Sequence, residues 1–416
     1  MSLGPPPIAA YVTSMTRIST DILISGGGVA GLTAAAAFGS AGFSVICTDP
    51  LPPVTSATAT GADLRSTAFL QPAVAVLQAA GLWDRLAPHA APLQIMRIID
   101  AGGATNEPRR IMDFDAGEVS DQPFGYNFPN WLLRREMVNR LADLPNVDFR
   151  PGVATKSVLT RQTEARVTLT DGSHVSARLL IGADGRNSMV RTALGIGVQT
   201  WRYGQKALTF AVTHPVPHAN VSTEIHRSGG PFTLVPLPDR DGLPASAVVW
   251  MTEGPEVHRL AALDAADFEA AINARSCHIL GPLTLASPRM VWPIISQIAA
   301  SMIGTRTALM AEAAHVMPPI GAQGLNMSLA DIASLLNLAR ASPGTLGDTA
   351  MLQAYQAARH RDVQTRVIAI DALNRVSMLG SPTLRDLRGA ALGALYAVAP
   401  LRKSLMRAGL GVRQPL

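Results

Sequence analysis

Cysteine is nearly missing from this chain of 416 residues: Cys47 and Cys277 stand alone, in no spacing that makes a metal site or a redox pair. A disulfide framework is excluded, and both thiols read as small buried groups in a reducing cytoplasm. Lysine is almost as scarce, with Lys156, Lys206 and Lys403 the whole complement. No long basic run occurs, so the net charge of +5 is no sign of nucleic-acid binding. Uninterrupted apolar runs fall short of the roughly 18 residues of a membrane-spanning helix. Residues 1–20, with Gly4-Pro5-Pro6-Pro7, lack the apolar core of a signal peptide, so order is expected to begin near Arg17. No cluster of His, Cys and carboxylate has metal-ligand spacing, and no metal is expected. What remains is an apolar, alanine-rich, soluble chain, long enough for two or three cores.

The first positive signal is Gly26-Gly27-Gly28-Val29-Ala30-Gly31. It follows an apolar strand, Asp21 to Ser25, and opens a small-residue helix, Leu32 to Ala41, which is the context a dinucleotide fingerprint requires. Gly26 allows the tight turn, Gly28 lets backbone approach a pyrophosphate, and Gly31 permits close helix–strand packing. The helix N-terminus, from Val29 and Ala30, offers N–H groups to the anion. A second strand, Ser44 to Thr48, ends at Asp49, where a carboxylate meets a ribose hydroxyl. No second fingerprint of this kind appears, and NAD and FAD are not separated by these residues alone.

Two later runs carry further chemistry. Leu179-Leu180-Ile181-Gly182-Ala183-Asp184-Gly185 is a strand entering a turn, continued as Asp-Gly-x-x-Ser-x-x-Arg through Ser188 and Arg191. Gly185 allows close backbone approach, Asp184 can orient the turn, and Ser188 can cap the next helix. Farther on, a buried strand, Thr307 to Met310, delivers Ala311-Glu312-Ala313-Ala314-His315, followed by Pro318-Pro319-Ile320-Gly321-Ala322-Gln323-Gly324-Leu325-Asn326. Pro318 and Pro319 fix φ, and Gly321 and Gly324 let amides reach a ligand ahead of a helix from about Met327 to Ala339. That helix N-terminus can stabilise negative charge.

Together these runs resemble the three cofactor motifs of the single-component FAD-dependent aromatic-ring monooxygenases, the para-hydroxybenzoate hydroxylase-like flavoproteins. The third motif usually reads Gly-Asp-Ala-Ala-His. Here Ala311 narrows the backbone options of that glycine, and Glu312 keeps the charge with one more methylene. The resemblance implies that Glu312 meets the ribityl chain and that Asp184 and Gly185 lie against the pyrophosphate and riboflavin. It places Gln323, Gly324, Leu325 and Asn326 around the ring, with Pro318, Pro319 and Gly321 at its reactive edge. Asp63-Leu64-Arg65-Ser66-Thr67 and Leu132-Leu133-Arg134-Arg135 look like the family's two arginine-bearing helix starts, which makes Arg65 and Arg134 candidate cofactor contacts. His315 takes a positional role, held by backbone hydrogen bonds.

The implied fold is α/β: a Rossmann-like FAD-binding domain of the para-hydroxybenzoate hydroxylase type, with an inserted mixed β-sheet substrate domain and a C-terminal helical region. The FAD-binding parts are 18–92, 128–194 and 285–345. Substrate-domain strands fall in 93–127 and 195–284, and the helical region is 346–416. Within the substrate segment, Trp201 to Gln205, His214 to His218, Glu224 and Gly230 to Leu237 resemble the ubiquinone-biosynthesis hydroxylases. The resemblance implies FAD, NADPH or NADH, and O2, acting on a phenolic ring carrying a polyprenyl tail. Glu224, His218 and Tyr203 are candidates for hydrogen bonding to that phenol. Leu384 to Leu410 mixes arginines with an apolar run. It is read either as a helix lying on an anionic membrane or as one packed on the FAD domain. The expected location is the cytoplasm, with peripheral contact at the inner membrane face or within a biosynthetic complex. Alternatives are a soluble hydroxylase of small phenols or aromatic acids, a flavin reductase of isoprenoid double bonds, and a non-catalytic FAD-bound partner.

Overall fold

The computed structural model describes residues 17–103, 105, 107–378 and 381–410. The expectations for the first sixteen residues lie outside them. Strand Arg17–Ser25 is fully covered from Ile22 onward and pairs in parallel with Val45–Asp49 on one side and His174–Gly182 on the other. A parallel strand buried on both faces needs a continuous apolar run, which Ile22-Leu23-Ile24 and Leu179-Leu180-Ile181 supply. Val147–Pro151 and Thr307–Leu309 extend this sheet outward, also in parallel. Ser25 pairs with Thr48 and with Gly182, and Gly182 with Leu309. The register therefore brings several strand C-termini to one edge, where open α/β sheets bind ligands. Helix Val29–Ser40 lies against this sheet with Ala34 to Ala37 at zero exposure. Small side chains there let helices Asn130–Ala142 and Gln323–Ala341 pack beside it.

A second, mixed sheet follows the order His315–Val316, Met290–Ala299, Val198–Thr213, Leu243–Glu253, Pro231–Arg240, Val221–His226, Ile95–Asp100, Arg110–Asp115. Its far face is sealed by helices Gly254–Ala262 and Ala265–Arg275, whose Val257, Leu260, Phe268 and Ile272 meet Leu208, Val212 and Phe232. A small sheet of Ser66–Leu70, Gly125–Pro129 and Ala91–Leu93 lies between the two larger ones in sequence.

At the level of the fold, the structure corrects three sequence expectations. Met290–Ala299, placed by sequence in the FAD-binding segment 285–345, pairs with Val198–Thr213 in the second sheet. Pro293 inside it argues against a strand, but it sits opposite a register shift between Arg202 and Lys206, where a missing N–H is tolerated. Arg65 does not start a helix; it immediately precedes strand Ser66–Leu70. The C-terminal helix Pro382–Ala397 lies on strand Arg110–Asp115 of the second sheet rather than on the FAD domain. Added Cβ atoms at Gly389 and Gly393 would fall 2.7 Å from Asp100 and 2.1 Å from Arg110, so these glycines permit the contact. No described helix is long and apolar enough to cross a membrane.

Candidate active site

The aligned strand ends open into a cavity of about 740 Å³ between the two large sheets. Gly26 takes φ +114°, and a Cβ there would stand 2.2 Å from the Ala183 carbonyl. At Gly31 a Cβ would meet the Gly26 carbonyl at 1.9 Å. Both positions are closed from behind. Gly28 is different: a Cβ there would meet nothing within 4 Å, and the residue N-caps helix Val29–Ser40 with no side-chain cap and no acid in the first turn. Its helix end thus leaves N–H groups for an anion. Asp49 accepts from the Gly27 N–H at 2.6 Å and from the Leu51 N–H at 2.9 Å, and stands on the cavity wall.

Asp184 takes the Met189 and Val190 N–H groups at 2.9 and 3.0 Å, and Ser188 caps the next turn through the Arg191 N–H at 2.9 Å. The Arg191 guanidinium, 6 % exposed, donates to the Arg186 and Ala313 carbonyls at 2.8 Å each. It bolts the Asp184 turn to the Ala311–His315 turn. Burial lowers the pKa of Arg191. Ala311 adopts φ +54°, the left-handed region that glycine fills freely. Glu312 is exposed on the wall, 3.7 Å from the Arg186 guanidinium. His315 is held by a carboxylate and not by backbone: its Nε2 lies 2.7 Å from Asp331, which also binds Arg359 at 2.8 Å. Burial raises the pKa of Asp331, but the charges and hydrogen bonds of His315 and Arg359 outweigh it and hold the carboxyl below its usual range.

Arg65 and Arg134 reach the wall from different elements and share one buried acid, Asp63, at 2.8 and 3.2 Å. Burial alone would raise the Asp63 pKa; the Arg65 hydrogen bond and charge, with Asn130 and Arg134, bring it below the ordinary value. The Arg65 guanidinium also lies 3.9 Å over the Trp292 ring. The second sheet supplies the opposite wall through one pleat face: Ala207 and Thr209, Ala247 and Val249, Trp292 and Ile294. Trp292 Nε1 donates to Thr209 Oγ1 at 3.1 Å.

Val29, Ala30, Gly185, Gly324, Leu325 and Pro319 also line the cavity, whereas Pro318, Gly321, Gln323 and Asn326 do not. Asn326 staples the fold, accepting the Leu70 N–H at 2.8 Å and donating to the Ala68 and Ala322 carbonyls. Gln323 turns toward Gly409 and Arg366. Glu224, His218 and Tyr203 lie off the wall, engaged with His226, Leu237 and Ser296. Sequence reasoning missed Asp63, Arg186, Thr209 and Trp292 as wall residues. Arg186 and Asp63 lie inside motif runs, the Asp184 turn and the Arg65 run, whereas Thr209 and Trp292 carried no local signal.

Gly28, Gly185 and Gly324 share one property: a Cβ on any of them would project into open space. The N-terminal residues of Gln323–Ala341, like those of Val29–Ser40, present an uncapped helix end without first-turn acids. An extended, doubly anionic dinucleotide with a flat ring system fits this cradle, and the family comparison agrees. A family model described as FAD binding domain matches residues 19–369. The chain belongs to the FAD-dependent aromatic-ring monooxygenases. It is 33 % identical to the ubiquinone hydroxylase UbiL of Rhodospirillum rubrum, over 99 % of this chain and 94 % of that protein. Against the 3-demethoxyubiquinol 3-hydroxylase of Escherichia coli K12 the identity is 25 %, over 96 % and 100 %. In fold it is similar to p-nitrophenol 4-monooxygenase PnpA from Pseudomonas putida, with a TM-score of 0.76 and 19 % identity over 96 % of this chain and all of that one. The para-hydroxybenzoate hydroxylase-type fold and FAD as cofactor follow for this monooxygenase.

Proposed function

We propose that this monooxygenase inserts one oxygen atom from O2 into the phenolic ring of a polyprenylated ubiquinone precursor, with NADH or NADPH as reductant. The observation that carries the reading is the cavity's two-sided chemistry. One wall is a dinucleotide cradle of strand ends and helix N-termini; the other is an apolar sheet face with one hydrogen-bonded Thr209–Trp292 pair. Full-length similarity to two proteins named as ubiquinone-pathway hydroxylases supports the substrate class.

FAD, when bound, supplies the redox chemistry that passes electrons from the nicotinamide to O2. The chain's part is placement. Gly28 and the Val29–Ser40 N-terminus would hold the pyrophosphate, Asp49 would accept from the ribose, and Asp184, Gly185 and Glu312 would meet the ribityl and riboflavin portion. Gly324 and Leu325, at a helix N-terminus on the cavity wall with Pro319, would offer amide dipoles that favour negative charge on the cofactor. Strands Val198–Thr213, Leu243–Glu253 and Met290–Ala299 bring no acid or base to the wall. The phenol is therefore oriented by hydrogen bonding, with Thr209 Oγ1 as the wall hydroxyl from these strands, and water is kept out by Ala207, Val249 and Ile294.

On this reading the protein works from the cytoplasm at the inner membrane face, where such a substrate dissolves. Comparing NAD(P)H oxidation driven by a tailed phenol in detergent with that driven by hydrophilic phenols tests it. Preference for the tailed phenol is expected; preference for a hydrophilic aromatic acid would contradict the substrate class.

A further inference from the structure

We propose that the outer face of the two C-terminal helices, Pro382–Ala397 and Ala399–Leu410, docks on an anionic phospholipid surface. Charge is the first observation. Residues 381–416 contain Arg385, Arg388, Arg402, Lys403, Arg407 and Arg413 against the single acid Asp386, a net of +5. The whole chain also carries +5, so everything before Ser381 sums to zero. The positive excess of the protein is concentrated in this one segment.

The second observation is which face is already used. Gly389 and Gly393 lie against Asp100 and Arg110, Tyr396 meets Phe114 edge-on at 5.4 Å, and Met406 is buried. Arg402 pairs with Glu118 at 2.7 Å. That side is anchored to the second sheet. On the free side Leu395, Val398, Leu401 and Leu405, spaced three or four residues apart, are 39 %, 51 %, 41 % and 48 % exposed. Lys403 and Arg407 are partly exposed in the same helix. A solvent-facing helix surface is ordinarily polar. A row of exposed large aliphatics, on helices whose cations Lys403 and Arg407 flank the anchored side and can extend around the helix toward headgroups, matches the interface of an acidic bilayer, where apolar side chains enter the acyl boundary.

The helix ends beside the active site. The Gly409 carbonyl accepts from Gln323 Nε2 at 3.2 Å, and Gln323 opens the helix whose next residues line the cavity. The surface therefore sits where a membrane-dissolved substrate would leave the bilayer; this last point rests on the proposed function, whereas the docking itself does not.

Flotation of the full-length, FAD-loaded protein with vesicles tests the proposal. Vesicles of phosphatidylcholine with phosphatidylglycerol should carry the protein upward in a salt-sensitive manner, and phosphatidylcholine alone should not. Leu401→Asp with Leu405→Asp, and separately Lys403→Glu with Arg407→Glu, should each weaken partitioning by about tenfold or more. Both variants should retain FAD loading and turnover of a short-tailed, water-soluble phenol in lipid-free buffer. Absent flotation, undiminished flotation of the variants, or a self-associated species that the leucine changes dissolve without any vesicle binding would overturn it. Vesicle binding by a protein that hydroxylates no phenol would sink the proposed function and leave the surface standing.

Discussion

His315 Nε2 and Asp331 Oδ2 lie 2.7 Å apart in the interior, and the same carboxylate oxygen accepts the Ala311 N–H at 3.2 Å. One buried acid on the Gln323–Ala341 helix thus holds both ends of the short turn that presents Glu312 to the cavity. Arg359, 7 % exposed, closes the cluster from helix Thr349–Met378.

Replacing Asp331 by alanine leaves Arg359 buried without its central partner and should cost about 3–5 kcal/mol in urea unfolding. The pH dependence has a definite sign. The folded pKa of Asp331 lies below the ordinary value, so its contribution is fully present above the unfolded pKa near ~4 and fades as pH falls toward the folded one. Asp331→Asn should flatten the acid limb of the stability profile. An unchanged limb would assign that limb to other lowered carboxylates such as Asp21 and Asp63.

The glycine turn offers two substitutions with opposite readouts. Gly28→Ala adds a methyl to open space at φ −68°, so thermal stability of the apoprotein should hold while FAD affinity falls at least about tenfold, by about 1.4 kcal/mol or more. Gly31→Ala forces a contact with the Gly26 carbonyl and should destabilise the fold itself. Fluorescence titration with FAD and apoprotein melting separate the two; equal effects of both changes on both readouts would refute the cradle geometry.

Ala311 stores backbone strain where a glycine would not. Left-handed geometry costs a non-glycine residue roughly 1–2 kcal/mol, against a glycine entropy cost of about 0.4–1 kcal/mol. Ala311→Gly should therefore be neutral to stabilising by up to about 1.5 kcal/mol, with FAD binding kept. A clear loss of stability on chemical denaturation would show that the methyl makes contacts outweighing its strain.

Thr209 is predicted to orient the substrate ring. Thr209→Val removes the hydroxyl and unpairs Trp292 Nε1, yet keeps the volume of the wall. Catalytic efficiency toward the phenol should fall about tenfold, on the order of 1–1.5 kcal/mol, with more peroxide released per NAD(P)H. FAD affinity should not move. Unaltered coupling would remove Thr209 from the substrate site.

Legibility followed sequence distance. Gly26 to Gly31, Asp49 and Asp184 to Arg191 were readable because each motif is a strand end plus the turn after it, and local chemistry dictates that turn. The opposite wall was not readable. Thr209 and Trp292 meet only through the pairing of Val198–Thr213 with Met290–Ala299, and Pro293 masks the second strand. Asn326 misled for another reason: an asparagine at a helix start can point to a ligand or back to the chain. The unpaired Leu70 N–H and Ala68 carbonyl of the neighbouring strand claimed it. Asp63 shows the same limit, since a buried acid gathering Arg65, Asn130 and Arg134 exists only after folding.

The most direct test of the account supplies the FAD-loaded protein with NAD(P)H, a tailed phenol and isotopically labelled O2, and reads the product by mass spectrometry. One labelled oxygen on the ring is expected for each NAD(P)H consumed. Labelled peroxide with an unmodified phenol, or a product whose new oxygen comes from water, would contradict it.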